Sequence, residues 1–121
     1  MQLQEKTAFI TGAASGLGLA AAQRFIAEGA NVMLFDLDAD KVQAVAADLG
    51  GQASWSAGDV SDEAQVEAAV QKTQASFGAL HVNVNSAGIG AAAKTVGRDG
   101  PMPLAQFQRV ISVNLLGTFN V

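Results

Sequence analysis

The 121-residue chain contains no cysteine and no tyrosine, a single histidine and seven lysine or arginine residues. Without cysteine there are no disulfides and no thiolate metal ligands. His81 alone cannot assemble a metal site, so none is expected. The absence of tyrosine removes every phenol from proton-transfer chemistry within this stretch. The basic residues are scattered and the net charge is −4, so no stripe exists to hold a phosphate backbone and nucleic acid is not an expected partner. The opening MQLQEKTAFITG is too polar for a secretory signal, and no apolar run approaches the roughly 20 residues that cross a bilayer. A membrane partner is not expected, and a cytoplasmic location is.

What the chain has in quantity is small and aliphatic residues. Half of it is hydrophobic and 15% is charged, which suits one modest globular domain. No internal repeat or low-complexity segment interrupts it. Short apolar runs alternate with helical periodicities. Thr7–Thr11 is β-rich and leads into a glycine turn. Gly18, Ala21, Ala22, Phe25 and Gly29 recur at helical spacing, with Gly29 as the stop. Val32–Phe35 has the length of a buried parallel strand. Val42, Val45, Ala46 and Leu49 mark a second helix closed by Gly50 and Gly51, and Ala53–Ala57 is a third strand. A third helix is expected with Ser61 as its N-cap and Val66, Ala69, Val70, Thr73 and Phe77 inward. Leu80–Asn85 is the fourth strand. A loop follows to Pro103, and one last helix carries Leu104, Phe107, Val110, Ile111, Leu115 and Thr118 on a single face. Alternation of this kind predicts an α/β fold, the first half of a Rossmann-type doubly wound parallel sheet.

The chemistry concentrates where strands end. Gly12-Ala13-Ala14-Ser15-Gly16-Leu17-Gly18 joins the first strand to the first helix. Glycines there permit a tight turn, close approach of backbone to a pyrophosphate, and close helix–strand packing. The first amides of the helix then face the anion. Asp36 ends the second strand, 20 residues after Gly16, where a carboxylate can accept from both ribose hydroxyls and repel a 2′-phosphate. Leu37 follows, so no adjacent arginine welcomes that phosphate. NAD is the cofactor implied. Asn114 falls on the apolar stripe of the last helix, where a buried amide needs specific partners.

These blocks resemble the short-chain dehydrogenase/reductase family along the whole stretch. The resemblance is carried by Thr11–Gly18, Asp59-Val60 after the third strand, Asn85-Ser86-Ala87-Gly88 after the fourth, and Val113-Asn114-Leu115 in the last helix. It implies strand order 3-2-1-4. It also implies cofactor contacts at Gly12, Ser15, Gly16, Leu17, Gly18 and Asp36, an adenine site at Asp59 and Val60, and a flank at Asn85, Ser86, Ala87 and Gly88. Ser86 departs from the family's double asparagine, which is expected to weaken a strand-to-strand hydrogen bond. Asn114 matches the family asparagine that holds a water in a proton relay with a lysine. Within the family, residues 86–121 are most similar to the type II 3-hydroxyacyl-CoA dehydrogenases.

The resemblance thus implies an NAD-dependent oxidoreductase acting on a small-molecule secondary alcohol or ketone, a 3-hydroxyacyl-CoA or related compound, in a homo-oligomer that is commonly tetrameric. The family's catalytic serine and Tyr-x-x-x-Lys pair have no match here. Residues 1–121 are therefore expected to be the N-terminal, cofactor-binding portion of a single-domain enzyme, inactive alone and either marginally stable or self-associating. A non-catalytic dinucleotide-binding module and a protein-association role are the alternatives.

Overall fold

A computed structural model describes residues 2–121. Its main sheet has four strands: β1 (Thr7–Thr11), β2 (Asn31–Asp36), β3 (Ala53–Ala57) and β4 (Val82–Val84). All pair in parallel in the order β3-β2-β1-β4. The connecting helices are α1 (Gly16–Ala27), α2 (Ala39–Leu49) and α3 (Glu63–Phe77). The expected Rossmann-like architecture and strand order are those observed.

Alternation along the central strands divides the core. Ala8, Ile10, Val32 and Leu34 point to one face and pack with Ala22 of α1 and with Val42 and Ala46 of α2. Phe9, Met33 and Phe35 point to the other and pack with Val66 and Ala69 of α3. Phe9 and Phe35 meet across the β1–β2 pair with ring centroids 5.5 Å apart. Both strands read as continuous apolar runs because helices cover both faces. The order 3-2-1-4 reverses direction of winding between β1 and β4, and ligands of such sheets bind beyond the carboxyl ends of the strands at this point.

Several boundaries differ from the sequence expectation. The N-cap of α3 is Asp62, whose carboxylate accepts from the Gln65 amide; the Ser61 hydroxyl is instead committed to Asp59. Gly29, at φ +84°, sits one residue past the α1 cap, Glu28. The fourth strand is three residues long. Asn83 is exposed on this outer strand, and His81 lies just before it, its Nδ1 accepting from the Thr7 amide. The long loop contains a small antiparallel hairpin, β5 (Val96–Gly97) and β6 (Gly100–Pro101).

The last helix is not uniform. It runs as α4 (Leu104–Ile111), a π-helical segment (Ser112–Leu116) and α5 (Gly117–Asn120). No residue of α4 or of the π segment is buried, so the apolar stripe read from the sequence is left largely uncovered. Asn114, expected to be buried, is exposed, as are Leu104, Phe107, Leu115 and Phe119.

Candidate functional site

Every matched block lies just past the carboxyl end of a strand or on the helix facing those ends. The glycine turn starts where β1 stops. Gly12 has φ +62°, and a Cβ there would meet the Ala87 backbone at 2.9 Å. A Cβ on Gly18 would fall 2.2 Å from the Gly12 carbonyl oxygen. These two glycines serve packing. Gly16 differs: its φ is +55°, yet nothing lies within 4 Å of the position of a Cβ. A side chain at this position would project into open space above the turn.

Ser15, Gly16 and Leu17 are exposed, and Leu17 is 85% accessible. Ser15 is the N-cap of α1, but its side chain makes no capping bond, and the first turn contains no acidic residue. The first amides of α1 therefore face outward without a capping side chain, at the positive end of the helix. This end can bind an anion, and the open space over Gly16 is where backbone could approach one.

Asp36 closes β2 beside that turn. Its Oδ2 accepts from the Ala14 amide at 3.0 Å, and its Oδ1 accepts from the Asp38 amide at 3.1 Å. A carboxylate offers about four acceptor positions, so capacity remains for two hydroxyl donors. Leu37 is 68% exposed next to it.

A cleft of about 370 Å³ opens from Asp36 toward the ends of β3 and β4. Asp36, Leu37, Asp59 and Val60 line one side, and Ala87, Gly88, Ile89 and Arg109 line the other. Phe35 forms part of its base; Gly58 must be small there, since a Cβ would come within 2.7 Å of the Phe35 ring. Asp59 Oδ1 accepts from the Ser61 amide at 2.8 Å and the Ser61 hydroxyl at 2.7 Å. These bonds, chiefly the hydroxyl, hold the Asp59 carboxyl below its ordinary value, with a further contribution from the Arg109 guanidinium.

The fourth block is tied to the first through backbone. Thr11 Oγ1 accepts from the amides of Ser86 and Ala87, at 3.1 and 3.0 Å. The substituted Ser86 side chain takes no part, so the link between β1 and the end of β4 survives the departure from double asparagine. Asn85 is exposed just past β4. Gly88 faces Asn114, whose Oδ1 would lie 3.4 Å from a Cβ there.

Asn114 has the specific partners its position demanded, though at the surface. Its Oδ1 accepts from the Ile89 amide at 2.9 Å, and its Nδ2 donates to the Ile89 carbonyl at 2.8 Å. The side chain thus clips the last helix to the loop after Gly88. Its backbone carbonyl accepts from the Thr118 hydroxyl.

The structure also brings in residues that the motif reading passed over. Arg109 shares a helical face with Ser112 and Val113, both on the cleft, a spacing visible in the sequence. Ser61, two residues after Asp59, closes an Asx turn on it, a local spacing; Gln65 of α3 and Asn120 of α5 reach the Asp59-Val60 segment with no spacing rule connecting them to it. Among the described residues no cluster of acidic or histidine side chains could hold a metal ion.

Comparison with known proteins agrees with this geometry. A family model described as short chain dehydrogenase matches residues 6–121. The chain is 45% identical over 116 residues to 3-hydroxyacyl-CoA dehydrogenase type-2 of Bos taurus, covering 94% of this chain and 44% of that protein. It is 38% identical over 121 residues to D-threitol dehydrogenase of Mycolicibacterium smegmatis, covering 98% and 45%. The crystal structure of 3-ketoacyl-(acyl-carrier-protein) reductase from Brucella melitensis complexed with NADH superposes with a TM-score of 0.89 at 38% identity, covering 98% of this chain and 48% of that one. The chain spans about half the length of the relatives it matches.

Proposed function

The chain belongs to the short-chain dehydrogenase family, and on that premise we propose that residues 1–121 are the cofactor-binding portion of a single-domain NAD-dependent oxidoreductase. The observation that carries this reading is Asp36: a carboxylate at the end of β2, bonded to the glycine turn, with acceptor capacity left over and Leu37 beside it. When bound, the nicotinamide supplies the hydride acceptor or donor. The chain's part is positioning. The α1 amides and Gly16 receive the pyrophosphate, and Asp36 accepts from the adenosine ribose hydroxyls. Asp59 and Val60 receive the adenine, while Asn85, Ser86, Ala87 and Gly88 flank the cofactor where β4 ends.

The substrate class proposed is a 3-hydroxyacyl-CoA or related secondary alcohol, interconverted with its ketone. It is supported by the similarity to 3-hydroxyacyl-CoA dehydrogenase type-2. Asn114 is the residue assigned to the proton relay. Beyond its two bonds to Ile89, the exposed side-chain amide keeps one acceptor position and one N–H for a relayed water. A homo-oligomer, tetrameric by family resemblance, and a cytoplasmic location belong to the same reading.

The test is a turnover assay on the full-length polypeptide with acetoacetyl-CoA and NADH, followed by nicotinamide absorbance. Consumption of NADH in step with the ketone is expected. Tight NADH binding without turnover of any ketone or secondary alcohol would favour a non-catalytic binding module.

A further inference from the structure

The Asp59-Val60 segment is held by more contacts than a loop of its length requires. Three successive peptide groups are each fixed by a different donor or acceptor. The Asp59 amide donates to Gln65 Oε1 at 2.9 Å. The Asp59 carbonyl accepts from the Asp62 amide at 3.0 Å. The Val60 carbonyl accepts from Asn120 Nδ2 at 2.9 Å. The Val60 side chain is 6% exposed and packed against α5, so closely that a Cβ on Gly117 would fall 2.5 Å from Val60 Cγ2.

Two polar groups are left over. The Ser61 bonds both fall on Asp59 Oδ1, so among the described residues Asp59 Oδ2 has no hydrogen-bond donor. The Val60 amide likewise has no acceptor there. Both residues line the cleft. An acceptor next to a donor is the complement of the amino and ring-nitrogen edge of adenine. It mismatches hypoxanthine, which presents a carbonyl and a ring N–H at the same two places.

We propose that Asn120 is a positioning residue for base recognition: by holding the Val60 carbonyl it fixes the peptide after Val60, while the Asp62 amide holds the one before it, so that the Val60 amide and Asp59 Oδ2 face the base from a residue pinned on both sides. The inference rests on the adenine being received at Asp59 and Val60. It assigns to the last helix a second amide clip. Asn114 holds the β4 side of the cleft through Ile89, and Asn120 holds the β3 side through Val60. Gln65 anchors the segment from α3, so loss of Asn120 frees one end of it and leaves the other in place.

The test compares NADH with its hypoxanthine analogue on the full-length protein, by titration, for wild type, Asn120→Ala and Asn120→Asp. The aspartate keeps the size of the side chain and removes the donor, so it carries the test if the alanine variant does not fold. Wild type is expected to prefer NADH by about tenfold or more, the weight of roughly one hydrogen bond to a charged group. Both variants are expected to lose most of that preference, with affinity for reduced nicotinamide mononucleotide, which has no base at this site, unchanged. The preference is a ratio within one protein, so a general loss of stability does not move it. A full wild-type preference retained by both variants overturns the role of Asn120 and leaves the adenine reading standing. Equal affinity of wild type for the two dinucleotides overturns the adenine reading, and the inference with it.

Discussion

The Ala14 amide donates to Asp36 Oδ2 at 3.0 Å, so the glycine turn after β1 and the acid at the end of β2 are one hydrogen-bonded unit. The carboxylate is aimed by the turn whose helix would hold the pyrophosphate. Replacing Asp36 by Ala together with Leu37→Arg removes the ribose acceptor and supplies a cation for a 2′-phosphate. NADH affinity should fall by at least about a hundredfold, from roughly 1.5–3 kcal/mol for each of the two hydrogen bonds to the carboxylate. NADPH should become the preferred dinucleotide, as measured by competitive titration.

The glycines of the turn should separate stability from binding. Gly18→Ala places a methyl against the Gly12 carbonyl and should cost about 1–3 kcal/mol of overpacking, or more, seen as a lower melting temperature. Gly16→Ala meets no neighbour and carries only the left-handed backbone penalty, about 1–2 kcal/mol. Its larger effect should be on dinucleotide affinity, because the methyl occupies the space left for the phosphates. Calorimetry and thermal melting on both variants distinguish the two.

Asn114→Ala removes both bonds to Ile89. The site is exposed, so water replaces much of what is lost, and the stability cost should be about 0.5–1.5 kcal/mol for each bond removed. Asn114→Asp keeps the acceptor for the Ile89 amide but sets a carboxylate oxygen against the Ile89 carbonyl. It should therefore lose more near neutral pH than in acid, where the protonated oxygen donates again. Denaturant melts at the two pH values give the comparison.

Asp59 sets a pH dependence of its own. Its carboxyl is held below the ordinary value of 3.8 by the Ser61 hydroxyl and amide, so the folded state favours the ionised form. That contribution is fully present above the ordinary carboxylate range and is lost as pH falls through the lowered folded value. Stability from this group should be flat between about pH 5 and 8 and decline only in stronger acid. Ser61→Ala should move the Asp59 titration upward, followed by carbon NMR of its carboxyl.

The legible parts of the fold were those fixed by local pattern. β1 matched residue for residue because all five of its side chains are buried, and Gly50 and Gly78 stopped helices whose inner faces were plain. The last helix misled because an apolar stripe shows which face is apolar but not whether another element covers it: Asn114 was placed in the core on that stripe, and no residue of α4 or the π segment is buried. Ser61 looked like a cap until Asp59 claimed its hydroxyl. Of the residues lining the cleft, Asp36, Asp59, Val60, Ala87 and Gly88 were named from motifs in the chain alone. Arg109, which lines the cleft, and Asn120, which bonds the Val60 carbonyl, were not, since each comes from a helix some 50 to 60 positions away from Asp59 and Val60.

The most direct measurement is paired titration of the full-length protein with NADH and NADPH. A protein that reads the ribose through Asp36 binds NADH saturably, one per chain, and at least about tenfold more tightly than NADPH. Equal affinities, a preference for NADPH, or no binding of either would contradict the assignment of Asp36 and, with it, the cofactor site.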